Sequence, residues 1–321
     1  MKKIGLVLAG GGGKGAYQIG VWRVLREFGL EKSIKAISGT SVGALNGALF
    51  LQNDYRAAEK VWLTMSPEKI LSLRSAQLLE SLQKIGMNIS DTKIYKYANV
   101  LQGYGIFTRH GLIKLIKEAV DLNSVTSSSI PFYVTCCQLG SQEPKYIRLN
   151  GLTPDEIEKY LLATSAIPGV FPPEEIDGKL YYDGGLPLVG DNNPIQPVYK
   201  EGCDLILVVL LDRSSLINKE QYPKANIIEI LPQDAQGNLF NGTLQFTAVG
   251  AKRRIEQGYQ DTKALLEPFL RSLSFEYKFI QTTERIQRDH NEFERLHKEY
   301  NGRLHNQMMD FERKLRREGT D

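Results

Sequence analysis

Ile4-Gly5-Leu6-Val7-Leu8-Ala9-Gly10-Gly11-Gly12-Gly13-Lys14-Gly15 is an apolar run that ends in a glycine cluster. Further on, Ile34-Lys35-Ala36-Ile37-Ser38-Gly39-Thr40-Ser41-Val42-Gly43 repeats the arrangement with a serine among the glycines. Ile4 to Leu8 has no polar alternation, as expected of a strand covered on both faces. Between the two runs, Ala16, Ile19, Val21, Trp22, Leu25 and Phe28 describe a helix with a broad apolar face, stopped by Gly29. Ile34 to Ser38 reads as a second strand and Val42 to Leu51 as a second helix, rich in small residues. The order is β-α-β-α, with both glycine turns at the carboxyl ends of strands, where open α/β sheets keep their ligand sites.

Working outward, helical spacing recurs at Val61 to Leu63, Ile70 to Leu73, Leu78 to Ile85 and Leu112 to Val120. The stretch 66–105 carries no sharp pattern and is expected to form a cap. Phe132 to Cys137 and Tyr146 to Leu149 read as strands. Thr153-Pro154-Asp155-Glu156 opens a helix to about Thr164, with a capping threonine, proline in the first turn and acids facing the dipole. Ile167-Pro168-Gly169-Val170-Phe171-Pro172-Pro173 is irregular, and Leu180 to Tyr182 is a short strand running into Asp183-Gly184-Gly185. Leu205 to Leu211 and Asn226 to Leu231 are further strands. A helix from Leu244 to Leu266 is expected to break at Pro268. Beyond about residue 272, Phe279, Ile286, Phe293 and Tyr300 repeat every seven residues, and Leu304, Met308, Phe311 and Leu315 continue the face after a register shift. This predicts one long amphipathic helix or a pair. Its stripe is suited to self-association, to packing as an ordinary helix on its own domain, or to an anionic lipid surface, which Arg313, Lys314, Arg316 and Arg317 near its end favour.

The bulk composition is that of an ordinary globular chain: 321 residues, 42% hydrophobic and 24% charged. A net charge of +3 and the lack of a basic stripe interleaved with aromatics give no nucleic-acid footprint. Three cysteines are too few for a disulfide framework, none has zinc spacing, and the adjacent pair Cys136 and Cys137 reads as core filler in a reducing cytosol, while Cys203 stands alone. No metal and no cofactor is expected. The apolar stretch after Met1-Lys2-Lys3 is too short for a signal peptide, and Leu205 to Leu211 is far short of a membrane span. The expected location is cytoplasmic, with room for peripheral membrane contact.

Gly39-Thr40-Ser41-Val42-Gly43 has the pattern of a nucleophile elbow, a serine on a strand-to-helix turn. A tight turn with no catalytic task fits the same residues. Gly10 to Gly15 also contains Gly10-x-Gly12-x-x-Gly15, but a dinucleotide site needs an acid at the end of the next strand, and none is there. A phosphate loop needs Ser or Thr after Lys14, where Gly15 stands. The remaining functional reading is a nest of N–H groups that holds an oxyanion. Lys14 would sit near the developing charge or on a phosphate head group, unless it is simply solvated. For the base, His110 lies near the cap, and His290, His297 and His305 lie in the tail. Asp183 ends a strand and is followed by two glycines, although Asp-Gly is also a common turn pair. A Ser-His-Asp esterase using a tail histidine and a non-catalytic nucleotide-binding module stand as alternatives.

Taken together, Gly10 to Gly15, Gly39 to Gly43 and Asp183 to Gly185, in this order, resemble the signatures of the patatin-like phospholipases. Ala163-Thr164-Ser165-Ala166-Ile167-Pro168-Gly169-Val170-Phe171-Pro172-Pro173 resembles the segment ahead of that family's aspartate. The resemblance spans roughly residues 3 to 212. It implies an α/β three-layer sandwich with a mainly parallel central sheet and a helical cap, to which this sequence adds a C-terminal amphipathic helical tail. The domains would be 1–270 for the hydrolase and 271–321 for the tail. It implies a lipid or phospholipid substrate, Ser41 as nucleophile, Asp183 as proton acceptor, and Gly10, Gly11, Gly12, Gly13, Lys14 and Gly15 around the oxyanion. Gly39, Gly43, Gly184 and Gly185 would shape the turns. Two departures stand out: lysine at position 14, where many members carry arginine and its planar fork, and the tail. A free aspartate, of pKa about 3.9, is a poor base toward a hydroxyl, so the dyad calls for a site that excludes water.

Overall fold

The computed structural model of the chain describes residues 3–70, 72–73 and 107–318. Its first half follows the β-α rhythm: β1 (Ile4–Leu8), α1 (Ala16–Glu27), β2 (Ile34–Thr40), α2 (Val42–Leu51), α3 (Tyr55–Leu63), α4 (Pro67–Ile70) and the short β3 (Ser72–Leu73). After the undescribed stretch come β4 (Phe107–Thr108), α5 (His110–Ala119), α6 (Leu122–Ser127), β5 (Phe132–Gln138), β6 (Lys145–Arg148) and α7 (Pro154–Thr164). The chain continues through β7 (Glu174–Ile176), β8 (Lys179–Asp183), α8 (Ile195–Lys200), β9 (Leu205–Val209), β10 (Asn226–Ile230) and α9 (Ala248–Glu318).

Eight of these strands form one mixed sheet in the order β10-β9-β1-β2-β5-β8-β7, with β6 also paired to β5. The run β10-β9-β1-β2-β5 is parallel throughout, and β6, β7 and β8 are antiparallel additions. β1 lies at the centre, which is why it is apolar at every position. Its alternate residues feed two different layers. Leu6 and Leu8 meet Ile19, Trp22 and Leu25 of α1 and Phe50 of α2. Val7 points the other way, into a cluster with Ala36, Ile206, Val208 and the α8 side chains Ile195 and Val198. Helix, sheet and helix thus make the three-layer α/β sandwich expected from the sequence.

The start of α7 carries the predicted threonine cap, and the structure extends it to a full capping box. The Thr153 hydroxyl accepts from the Glu156 N–H, and the Glu156 carboxylate accepts from the Thr153 N–H at 2.8 Å. All three cysteines are buried and free. No helix among the described residues is long and apolar enough to cross a membrane.

Two expectations are corrected. The helical spacing at Ile70 to Leu73 ends at Ile70, and Ser72 and Leu73 instead pair antiparallel with Thr108 and Phe107. So short an apolar pattern fits either period, and strand pairing decides it. Helix α9 is also not broken at Pro268 but runs through it. Proline removes one backbone bond, but the flanking Ala264, Leu265, Leu266, Leu270 and Arg271 are strong helix formers. Arg271 reaches back across the proline to Glu267 at 2.8 Å. The expected helix at Leu78 to Ile85 and most of the 66–105 cap lie outside the described residues. Contacts divide the chain into two compact units, residues 1–264 and 265–321.

Thr153→Ala removes the cap from α7 and leaves the Glu156 N–H without its acceptor. We expect a loss of about 1 kcal/mol in urea unfolding, with Thr153→Ser close to the parent.

Candidate active site

Ser41 stands between the end of β2 and the start of α2, with φ 54° and ψ −126°. A side chain at positive φ is strained, and such strain is held only where the surroundings fix it. Here the Ser41 N–H donates to the Thr164 hydroxyl at 2.9 Å, and the Ser41 carbonyl accepts from Ala44 N–H at 2.9 Å. The two elbow glycines are packing requirements. A Cβ on Gly43 would overlap the Leu8 carbonyl oxygen, and one on Gly39 would meet the backbone of Gly43 and Ala44.

Asp183 reaches the same place from the other side of the chain's topology. Thr40 is opposite Thr135 in the β2–β5 pairing, and Asp183 is opposite Cys136 in the β5–β8 pairing. Consecutive residues of β5 therefore seat the residue before Ser41 and the aspartate itself. The Thr164 hydroxyl, fully buried, donates to the Thr135 carbonyl at 2.6 Å and so ties the elbow to this step. Gly184 lies against the Thr135 carbonyl, and Gly185 lies against Asn192.

The Asp183 carboxylate is buried. Its Oδ1 accepts from the Gly185 N–H at 2.8 Å, and its Oδ2 has no hydrogen-bond partner. Burial pushes its pKa up from the ordinary 3.8 to about 6, against the lowering effects of the Ser41 side chain and the Gly185 N–H. An unpartnered, desolvated carboxylate oxygen is a basic one.

The first glycine turn lies beside them. The Gly10 N–H donates to the Asn192 carbonyl, and the Lys14 N–H closes a tight turn onto the Gly11 carbonyl at 3.1 Å. The N–H groups of Gly11, Gly12 and Gly13 have no protein acceptor among the described residues. Gly12 has φ 55°, and a Cβ there would run into the Thr243 carbonyl oxygen. Lys14 is 7% exposed, and its Nζ sits 3.5 Å from Asp212 Oδ2. Burial works to raise the Asp212 carboxyl, but the Ser214 hydroxyl and N–H and the Lys14 ammonium hold it below its ordinary value.

Ser41 opens onto two cavities. One, of about 230 Å³, is the more polar of the two and brings together Gly10, Gly11, Gly12, Lys14, Ser41 and Asp183, with Gly185 and Asn192, beside the apolar Ile167, Leu186 and Leu211. The other, of about 60 Å³, is apolar and is walled by Val42, Leu45, Leu49, Trp62, Met65 and Leu112. Gly13 and Gly15 do not line the polar cavity; Gly13 backs onto the Gln245 carbonyl and Gly15 onto Val42. Gly39, Gly43 and Gly184 shape the turns without lining it. Among the described residues no cluster of His, Cys, Asp or Glu is arranged to hold a metal. His110 is exposed at the start of α5 and does not line the polar cavity, and His290, His297 and His305 belong to the second unit.

A sequence model of the patatin-like phospholipases matches residues 6–199. The chain belongs to the patatin-like phospholipase family. Among relatives, it is 28% identical over 208 residues to a lysophospholipase NTE1 of Cryptococcus neoformans, covering 65% of this chain but 11% of that protein. It is 24% identical over 213 residues to an NTE family protein of Mycobacterium tuberculosis, covering 66% of this chain and half of that one. This patatin-like chain thus spans only a part of the curated relatives it matches. The solved structures similar to it include VipD from Legionella pneumophila, at TM-score 0.42 and 16% identity, covering 84% of this chain and 67% of that one.

Five residues of this patatin-like site escaped the sequence reading as contributors to it. Thr164 was quoted only as part of a segment, yet it is a hydroxyl at the end of the apolar face Leu161-Leu162-Ala163, which is a usable signal. Asn192 clamps Gly10, accepting its N–H on the backbone and donating from Nδ2 to its carbonyl at 3.3 Å. Ser38 and Thr40, alternate residues of β2, hold this loop through the Pro194 and Asp191 carbonyls. Arg254 is fully buried and donates to the Asn241 carbonyl at 3.2 Å and the Gln245 side chain at 2.8 Å. It thereby holds the loop whose Thr243 and Gln245 carbonyls press on the glycine turn. Nothing local in the sequence marks Asn192 or Arg254.

Thr164→Val keeps the shape of the side chain but strands the Ser41 N–H. We expect it to cost about 1–3 kcal/mol in chemical denaturation, whereas Thr164→Ser keeps both bonds and most of the stability.

Proposed function

We propose that the chain is a lipid acyl hydrolase that cleaves fatty acyl esters with Ser41 as nucleophile and Asp183 as proton acceptor. The observation that carries this reading is the position of Ser41 at the meeting of an apolar and a polar cavity. An ester carbonyl placed on Ser41 would send its acyl chain among Val42, Leu45, Leu49 and Trp62. Its alcohol side would face Lys14 and the glycine turn. Family membership supports the same substrate class.

Each step has a residue. Ser41 Oγ attacks the ester carbonyl and Asp183 takes the hydroxyl proton. The oxyanion is held by the free N–H groups of Gly11 and Gly12, worth about 3–4 kcal/mol each in a water-poor site. The carbon–oxygen bond to the alcohol breaks, and Asp183 returns the proton to that oxygen. Water then attacks the acyl-serine while Asp183 takes its proton, and Ser41 recovers the proton as the fatty acid leaves. No histidine is required, because burial has already moved the carboxylate toward the useful range. Lys14 stabilises negative charge on the alcohol side, as a point charge rather than a fork. We assign the hydrolase to residues 1–270 and the tail to 271–321. The free buried cysteines favour a reducing, cytoplasmic setting with peripheral access to lipid.

Ser41→Ala and Asp183→Asn should each lower hydrolysis of a medium-chain p-nitrophenyl ester by at least about 10³-fold. The variant His290→Ala/His297→Ala/His305→Ala should keep parent activity; loss there would favour a Ser-His-Asp esterase. Asp183 must be ionised to accept a proton, so kcat/KM should fall as pH drops through about 6. A profile flat from pH 5 to 8 would exclude Asp183 as the base.

The same shift predicts a stability effect. The unfolded carboxyl ionises near 3.8 and the folded one near 6, so folding is penalised above that window and unpenalised below it. Asp183→Asn removes a penalty of about 3 kcal/mol at most. We expect higher stability than the parent at pH 7.5, with the gain disappearing below about pH 4.

A further inference from the structure

The second unit, residues 265–321, carries an apolar stripe that the chemistry of the first does not use. Ile286, Phe293 and Tyr300 recur every seven residues on α9, and all are at least 59% exposed. Four residues after each comes His290, His297 or Leu304, completing the alternating three-and-four spacing of a coiled-coil seam. The Phe293 and His297 rings lie 5.9 Å apart with planes 9° apart, giving the middle of the stripe a flat aromatic step.

We propose that residues 286–304 pair antiparallel with the same segment of a second copy of this chain. Heptad geometry sets the register. Phe293 packs against His297 of the second copy, His290 against Tyr300, and Ile286 against Leu304, each contact occurring twice by symmetry. The flanking positions decide the orientation. In the antiparallel register Asp289 faces Arg303 of the second copy on both sides, and Leu296 faces Leu296. In the parallel register Asp289 would instead face Glu294 of the second copy, twice, and Arg303 would face Met308. The antiparallel pairing leaves one like-charged contact, Glu294 against its own copy, and each Glu294 already has His290 at 3.5 Å. For residues 286–304 an anionic lipid surface fits less well, because the borders of this part of the stripe carry Asp289 and Glu294 against the single base Arg303, the basic cluster at Arg313 to Arg317 lying beyond it.

Sedimentation of the full chain from 1 to 100 µM tests this. The parent should form a dimer; Asp289→Arg and Arg303→Asp should each weaken it at least ten-fold, and the double variant should restore it. These positions are exposed, so the single variants keep the fold, which circular dichroism checks. A monomeric parent overturns the proposal, whether or not it co-floats with phosphatidylglycerol vesicles. So does a dimer that both single changes leave intact, or one that the double variant does not restore.

Discussion

The candidate site depends on one step of one strand. Thr135 and Cys136 of β5 are each opposite a residue that matters, Thr40 just before the serine and Asp183 itself. The parallel part of the sheet and its antiparallel extension meet at this step. Serine and aspartate lie far apart in sequence, but a single residue step of β5 separates the partner of Thr40, the serine's neighbour, from the partner of Asp183. The Thr164 hydroxyl holds the arrangement, giving its proton to the Thr135 carbonyl and taking one from the Ser41 N–H. A hydroxyl can do both at once, which no apolar side chain of the same shape can. The left-handed backbone at Ser41 is thereby held by something stronger than its own preference.

Around this step the backbones come closer than side chains permit. Gly43 sits on the end of β1, and Gly12 sits on the loop that Arg254 holds. The glycine motifs are therefore packing statements first. Their chemical consequence is secondary but direct: Gly10, Gly11 and Gly12 of the turn line the cavity over Ser41, and the Gly11 and Gly12 N–H groups have no protein acceptor among the described residues. The buried guanidinium of Arg254 has no carboxylate partner among the described residues, and burial lowers its pKa. Its two terminal nitrogens donate to carbonyl and amide oxygens while Nε is left unpartnered among these residues, so its role is to hold a loop rather than to balance a charge.

Much of this was legible because local chemistry and global fold agree. The apolar run Ile4 to Leu8, the glycine after it and the small residues of α2 each point to a central parallel strand and a tight elbow, and all are so placed. The start of α7 was readable to the residue, since a threonine cap is a local device. What failed was long-range. Ser72 and Leu73 were misread because their partners Phe107 and Thr108 lie across a long insertion. Pro268 was misread because a proline's local cost was weighed without the strong helix on either side. Asn192 and Arg254 act on the site through carbonyl groups of other segments, and such contacts leave no trace in spacing or composition.

Under the proposed dyad an aspartate stands where a histidine is commoner, and burial supplies the reason. A histidine reaches the useful pKa range unaided; a carboxylate must be carried there by desolvation. That requires a pocket dry enough to penalise the charge, and such a pocket penalises it in the resting protein as well. Asp183, with one oxygen on the Gly185 N–H and the other unpartnered, is held at a compromise: ionised at neutral pH, yet basic. The same dryness strengthens the free N–H groups of the glycine turn toward an oxyanion. An apolar substrate that displaces water from the 60 Å³ cavity would sharpen both effects when it binds. In the proposed mechanism the base, the oxyanion nest and the acyl cavity would all follow from one condition, the exclusion of water. A lipid meets that condition more fully than a small soluble ester does.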